Sequence, residues 1–266
     1  LSGDQLYHMD LEAMINFAHK KKADLTIAAL PVNKQEAPRL GLLNIDDDAS
    51  IINFHEKPKD PKILESFHIS EAFKKKQKIQ GNSDPCFLAS MGIYVFSREA
   101  LIALLKNDLR EDFGKHLIPT QIKQGKSSVY LHQGYWEDIG TIRSYYQANL
   151  ALATNRLTLN LYNETLPIYS QHNYLPGAKV DKTIVSQSII SEGAIVEARE
   201  VTRSVIGIRS TIKEGTIIRD SILIGNEKYS KETAKGKKSF AIGENCHIEK
   251  AIIDEDVTIG NDVKLL

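Results

Sequence analysis

The chain has 266 residues, 42% of them hydrophobic and 26% charged, with Lys+Arg and Asp+Glu equal at 34 each. That size and composition suit a globular chain of one large or two moderate domains. The absence of net charge excludes a molecule-wide field for nucleic acid or an anionic membrane, so any anion site must be local. The two cysteines, Cys86 and Cys246, match neither a zinc spacing nor a disulfide framework, which reads as reduced thiols in a cytoplasmic protein. No apolar run reaches the ~18 residues of a membrane span, and the first residues lack a basic-then-apolar signal pattern.

In chain order, "LSGDQLYHMD" comes first and puts Asp4 after Gly3 at what reads as the end of a strand. "MDLEAMINFAHKKKA" (9–23) has apolar residues at helical spacing and lysines in its last turn, which predicts a helix. "DLTIAALPV" (24–32) and "SMGIYVFS" (90–97) are β-branched and aromatic runs that predict buried strands. In "NFHEKPKD" (53–60), Lys57 precedes Pro58 and is expected to be extended, which would aim its ammonium at a phosphate. Glu56 beside it can accept sugar hydroxyls; the alternative is a solvated charged turn. "REALIALLKND" predicts another helix, and "DFGKHLIP" (112–119) sets Asp112, a glycine and Lys115 just before an apolar helix or turn. "YWEDIGT" places Asp138 ahead of Gly140, with a further helix starting at a Thr141 cap.

Strands alternating with helices up to about residue 155 predict an α/β layer structure, whose sites gather at the carboxyl ends of strands. Asp4 and Asp138 are each either a turn or cap residue or a ligand for a hard cation. Mg²⁺ favours one or two carboxylates plus substrate phosphates, and spacing alone leaves open whether the two residues meet. No histidine metal motif and no nucleophilic Ser or Cys elbow occurs, which argues against covalent catalysis.

From about residue 180 the rhythm changes. Ile206, Ile212, Ile218 and Ile224 recur every six residues, as do Ile253, Ile259 and Leu265. A period of six predicts a parallel β-helix whose aliphatic residues stack into a column, with several coils needed to bury it. A β-sandwich with coincidental spacing is the alternative. The lysine-rich stretch 226–241 reads as an excursion loop, either solvated or able to hold an anionic effector. Pro167, Pro176 and Gly177 mark a linker. The expected division is therefore 1–160, a linker at 161–179, and a β-helix over 180–266.

Taken in order, "LSGDQLYHMD", "FHEKPKD", "LASMGIYVFS", "DFGKHLIP" and "YWEDIGTIRSYYQANLAL", followed by hexapeptide repeats, resemble the glucose-1-phosphate adenylyltransferase (ADP-glucose pyrophosphorylase) family from residue 1 to residue 266. "YWEDIGT" and "AIGENCHIEKAIIDEDVTIGNDVK" look most like its plant and cyanobacterial branch. The resemblance implies a Rossmann-like, GT-A-like mixed sheet followed by a left-handed β-helix. It implies transfer of the adenylyl group of ATP to glucose 1-phosphate, giving ADP-glucose and pyrophosphate for glycogen or starch synthesis. On this analogy Asp4 and Asp138 are catalytic and hold Mg²⁺, Lys57 binds the sugar phosphate, and Glu56 its hydroxyls. Ser90, Tyr94 and Asp112 match positions lining the sugar pocket, and Trp136 supports Asp138 and the nucleotide side. The family also implies a homotetramer, allosteric phosphate-ester effectors, and a cytoplasmic or, in a plant, plastid location, with no nucleic acid or membrane partner.

Two departures qualify the resemblance. His8 stands where family members usually carry Arg or Lys, and the family's glycine-rich phosphate loop is absent from these residues. The chain is thus expected to be an internal portion of the enzyme, inactive alone and clipped before the last coils. The competing readings are a sugar-1-phosphate nucleotidyltransferase using UTP, GTP or dTTP, a non-catalytic regulatory subunit, and a hexapeptide acyltransferase using a β-helix histidine such as His247.

Overall fold

A computed structural model describes residues 1–79, 87–154, 159–229 and 240–266. By packing, the chain divides into two compact units, Leu1–Glu137 and Asp138–Leu266.

The first unit follows the predicted alternation. Strand β1 (Gln5–Tyr7) leads to helix α1 (Leu11–Lys21), which starts where the Asp10 side chain accepts a hydrogen bond from the Ala13 N–H and ends with Lys20 and Lys21 at the negative end of its dipole. Strands β2 (Leu25–Val32), β3 (Gly41–Ile45) and β4 (Ile51–Glu56) follow, then the short helices α2 (Pro61–Glu65) and α3 (Glu71–Lys76). Next come β5 (Phe87–Phe96) and α4 (Arg98–Asn107), a π-helical turn at Phe113–Leu117, α5 (Ile118–Gln124), β6 (Ser127–Leu131) and β7 (Trp136–Asp138).

Five of these strands form a mixed sheet in the order β4-β3-β5-β2-β6, in which β2 and β6 run parallel and the remaining neighbours antiparallel. Alternation along β2 sends Leu25, Ile27 and Ala29 into a core with Leu43, Phe54 and Leu88 and with Phe73 and Ile118 of α3 and α5. Ala28 faces the other layer, where Met14 of α1 packs with Met91 and Ile93. Both faces of the sheet are therefore covered, which explains why its central strands read as apolar runs.

The pairing of β2 with β5 is interrupted. Ile27 opposes Tyr94 and Ala29 opposes Ser90, so Ala28 alone stands against Met91, Gly92 and Ile93. This bulge is centred on Gly92, whose φ is +68°.

The second unit opens with helix α6 (Ile142–Ala153), which begins as expected at Thr141, through a reciprocal capping arrangement with Ser144. By packing α6 belongs with the β-helix, although the sequence rhythm changes only after it. Its Tyr146 hydroxyl donates to the Asp220 carbonyl at 2.5 Å. Twelve short strands follow among the described residues, the first six being β8 (Lys179–Val180), β9 (Ile184–Ser186), β10 (Ile189–Ile190), β11 (Ile195–Val196), β12 (Glu200–Thr202) and β13 (Val205–Ile208). The rest are β14 (Thr211–Ile212), β15 (Ile217–Arg219), β16 (Ile222–Gly225), β17 (His247–Glu249), β18 (Ile252–Ile253) and β19 (Lys264–Leu265). They form three parallel sheets, β10-β13-β16-β18, β14-β11-β8 and β19-β17-β15-β12-β9, the three faces of a parallel β-helix.

The register corrects one detail of the sequence reading. Ile206, Ile212, Ile218 and Ile224 do not share a column. Ile206 stacks on Leu223, Ile212 on Ile242, and Ile218 on Ile248, one pair on each face. Six residues carry the chain to the next face, and only a whole coil returns it to the same one, as from Ile189 to Val205. Ile224 falls outside the core altogether, 39% exposed, because its neighbour Leu223 takes the inward position and adjacent residues of a strand face opposite ways. The 226–241 insertion sits between β16 and β17; its lysines at 231–238, and Cys86, lie outside the described residues.

Neighbouring coils are also tied by charge. Arg219 forks onto Glu200 at 2.7 and 2.6 Å, and Arg203 onto Asp220 at 2.6 and 2.5 Å. The Arg219 hydrogen bonds hold the Glu200 carboxyl at about 2, below its ordinary 4.5.

Ile218→Ala, which empties a fully buried position, should cost about 2–5 kcal/mol, whereas Ile224→Ala should cost under about 1 kcal/mol; denaturant titration of both variants checks the register. Because the folded pKa of Glu200 is depressed, its stabilisation is complete above the unfolded value and disappears as pH falls toward about 2. Thermal melts of the native chain and Glu200→Gln should differ at neutral pH and converge on acidification through that window.

Candidate active site

Three motif stretches meet at the β5 bulge. The Ser2 N–H donates to the Gly92 carbonyl at 2.9 Å, which lays the LSGD segment along β5. A Cβ at residue 92 would lie 2.6 Å from the Ser2 hydroxyl and 2.8 Å from Gln5 Nε2, so only glycine accommodates both the positive φ and the close approach. Gln5 in turn accepts a hydrogen bond from the Trp136 indole N–H at 3.2 Å. "LSGDQ", "SMGIY" and "YWED", far apart in sequence, are thereby joined.

Asp4 lies in this docked segment and is exposed; its carboxylate has no hydrogen bond or ion pair among the described residues. It precedes a strand instead of ending one, because β1 begins at Gln5 and pairs with β7 outside the five-stranded sheet. Asp138 is also exposed, and one of its oxygens accepts the Gly140 N–H at 3.0 Å in the turn leading to α6. Among the described residues no group of three or more His, Cys, Asp or Glu side chains converges as a ready-made metal cage.

Ser90 and Tyr94 flank the bulge. The Ser90 hydroxyl is buried, accepts the Gly92 N–H at 3.2 Å, and lies 3.4 Å from the Tyr94 hydroxyl. Burial pushes the Tyr94 phenol above its ordinary value, the Ser90 contact opposes the shift, and the charge of Glu56 adds to it. Tyr94 is therefore a protonated donor beside a carboxylate. Glu56 ends β4, at the carboxyl end of a strand as α/β architecture predicts.

Lys57 departs from expectation. Its φ is +49°, left-handed instead of extended. A following proline disfavours the right-handed helical region, and the left-handed turn avoids that region too while letting the Lys57 N–H donate to the Leu40 carbonyl at 3.1 Å. The ammonium is largely exposed and sits 3.7 Å from a Glu56 oxygen, free to meet an anion.

Asp112 caps the π-helical turn. One oxygen accepts the Lys115 N–H at 2.9 Å and the other lies 3.3 Å from the Lys115 ammonium. The N–H bond first, and then the side chain, hold its carboxyl below the usual carboxylate range. The cap fixes Gly114 close to the Glu56 carboxylate, where a Cβ would stand 3.1 Å from Oε2. Glu56, Lys57, Ser90, Tyr94 and Asp112 thus belong to one polar neighbourhood containing a hydroxyl donor, carboxylate acceptors and a solvent-facing cation. Sequence reading did not single out Gln5, Gly41 or Gly92 as parts of the site, and named Gly114 and Lys115 only as neighbours of Asp112 in "DFGKHLIP". The available signal was the isolated glycine in the strand-like "SMGIY", which marks a bulge or a close backbone approach.

An α/β unit with this polar cluster, followed by a parallel β-helix, defines a two-part architecture that comparison with protein families makes specific. A model described as Nucleotidyl transferase matches residues 1–155, and one described as GLGC left-handed parallel beta-helix domain matches residues 173–266. The chain belongs to the nucleotidyl transferase family. This is the domain combination of ADP-glucose pyrophosphorylase-like proteins. Among the described residues no helix is long and apolar enough to cross a membrane.

Gly92→Ala should destabilise the protein by about 1–2 kcal/mol through the left-handed conformation alone, and should also displace Ser2 and Gln5. Trp136 is the single tryptophan, so loss of the Gln5 bond should appear as a shift of intrinsic fluorescence, with little change in far-UV circular dichroism.

Proposed function

We propose that the protein is a glucose-1-phosphate adenylyltransferase of the ADP-glucose pyrophosphorylase type. An oxygen of the glucose 1-phosphate phosphate forms a bond to the α-phosphorus of ATP while the bond to pyrophosphate breaks, giving ADP-glucose. Such a reaction asks the protein mainly to position two anions in line and to offset their charge. The observation that carries the reading is the neighbourhood of Glu56 and Lys57, with Tyr94 and the Asp112-capped turn beside it. Lys57 takes the sugar phosphate, the Glu56 carboxylate accepts sugar hydroxyls, and Ser90 and Tyr94 line the same side. Asp112 supports the pocket by fixing the turn next to Glu56. Trp136 positions Gln5 and, through it, the segment that bears Asp4.

Mg²⁺ suits the donors available. The Asp4 carboxylate is unengaged among the described residues, and Asp138 keeps its second oxygen. A cation that retains water and takes one or two carboxylates with substrate phosphates accepts such donors without a protein cage. Asp4 and Asp138 would hold it, and when bound it would offset charge on the ATP phosphates. The same family resemblance supports a homotetramer regulated by phosphate esters.

In the full-length protein ATP should outperform UTP and GTP with glucose 1-phosphate, and a large preference for either competitor would reject adenylyl transfer. Asp4→Asn should lower kcat by about two or three orders of magnitude, and unchanged turnover would favour a regulatory subunit. Lys57→Ala should raise the KM for glucose 1-phosphate about tenfold or more with little effect on that for ATP.

A further inference from the structure

Two glycines from separate elements leave room for one carboxylate. Gly41 on β3 is the cross-strand partner of Glu56 on β4, and a Cβ there would lie 2.7 Å from Glu56 Oε2 and 2.6 Å from the ring of Phe54. Gly114 approaches from the π-helical turn, where a Cβ would stand 3.1 Å from Oε2 and 3.3 Å from Cδ of the same carboxylate. The carboxylate accepts no hydrogen bond from the described residues; its one ion-pair partner among them is Lys57, at 3.7 Å. The Glu56 side chain is only 26% exposed. The described residues leave this carboxylate without a hydrogen-bond donor, so a ligand hydroxyl can supply one in place of water.

We propose that Gly41 and Gly114 are specificity-determining positions: their missing side chains seat the Glu56 carboxylate at the depth where it reads one hydroxyl of a hexose 1-phosphate. The inference rests on Glu56 being a sugar-binding residue. A short O–H···O⁻ bond tolerates little displacement, and epimeric hexoses differ only in where a hydroxyl stands. Moving the carboxylate by a few tenths of an ångström therefore weakens the correct sugar more than its epimer. Gly114 acts as a positioning residue, because it holds the space in which Glu56 operates and needs no contact with the substrate.

Gly114 is the better position for a test, since its φ is not left-handed and alanine favours helical backbone, whereas a side chain at Gly41 would also strike Phe54. Gly114→Ala, Glu56→Ala and the double variant are compared in the full-length protein, with glucose 1-phosphate, galactose 1-phosphate and ATP as probes and a thermal melt as the folding control. Gly114→Ala should raise the KM for glucose 1-phosphate at least about fivefold, narrow the preference for glucose over galactose, and leave the KM for ATP within about twofold. Its melting temperature should be equal to or above that of the native protein. In the Glu56→Ala background the same substitution should have no further effect, because its target is gone. Equal cost in both backgrounds, an equal rise in both KM values, or no effect of Gly114→Ala while Glu56→Ala impairs sugar binding would each overturn the glycine proposal alone. If Glu56→Ala itself leaves the sugar-phosphate KM unchanged, the reading of the sugar site fails, and the proposal with it.

Discussion

The α/β unit depends on what happens at Gly92. Strand β5 lies in the middle of the sheet, between β3 and β2, so a defect there reaches every layer. Three of its residues oppose one of β2, and the left-handed glycine at their centre absorbs the excess. A bulge of this kind re-aims side chains without breaking the sheet. Ser90 and Tyr94 come to face each other across it, and the missing side chain of residue 92 becomes the seat for Ser2 and Gln5. The docking of Asp4's segment, the Trp136 anchor and the polar face of β5 all follow from one residue without a Cβ.

The polar neighbourhood of Glu56 is built in the same way, by omission. Gly41 and Gly114 contribute empty volume, and Asp112 spends both oxygens on Lys115 to fix the turn that carries Gly114. Glu56 is left with little hydrogen bonding of its own. Tyr94 beside it is a phenol whose pKa burial, above all, pushes further above its ordinary value. The combination of a stiff frame and an underused acceptor is what a preorganised binding group requires, since ordering has been completed before the ligand arrives.

The β-helix stabilises itself by a different rule. Each coil buries aliphatic residues only against its neighbours, so stability accumulates coil by coil instead of around one central cluster. The inward columns are mainly aliphatic, while the Glu200–Arg219 and Arg203–Asp220 forks tie adjacent coils on the outside. Such partly exposed ion pairs add less than the columns do, and their contribution is pH-dependent where burial of apolar surface is not.

The sequence by itself determined the two-part architecture, because a period of six and an alternation of strand with helix are local patterns set by backbone geometry. The cap at Thr141 and the chain order of the motifs were legible for the same reason, as was the Glu56–Lys57 pair; the cap at Asp10 was not read from the sequence. Tertiary structure decided what depends on contacts between distant residues. The face on which each isoleucine stacks was one such matter, and it excluded Ile224 from a column that its spacing appeared to complete. The left-handed turn at Lys57, closed by Leu40, was another. The placement of Asp4 was a third: it stands before a strand, in a segment docked through Ser2 on Gly92. Glycine carries no side chain to display a pattern, so its role as a space-keeper becomes visible only when its neighbours are in place.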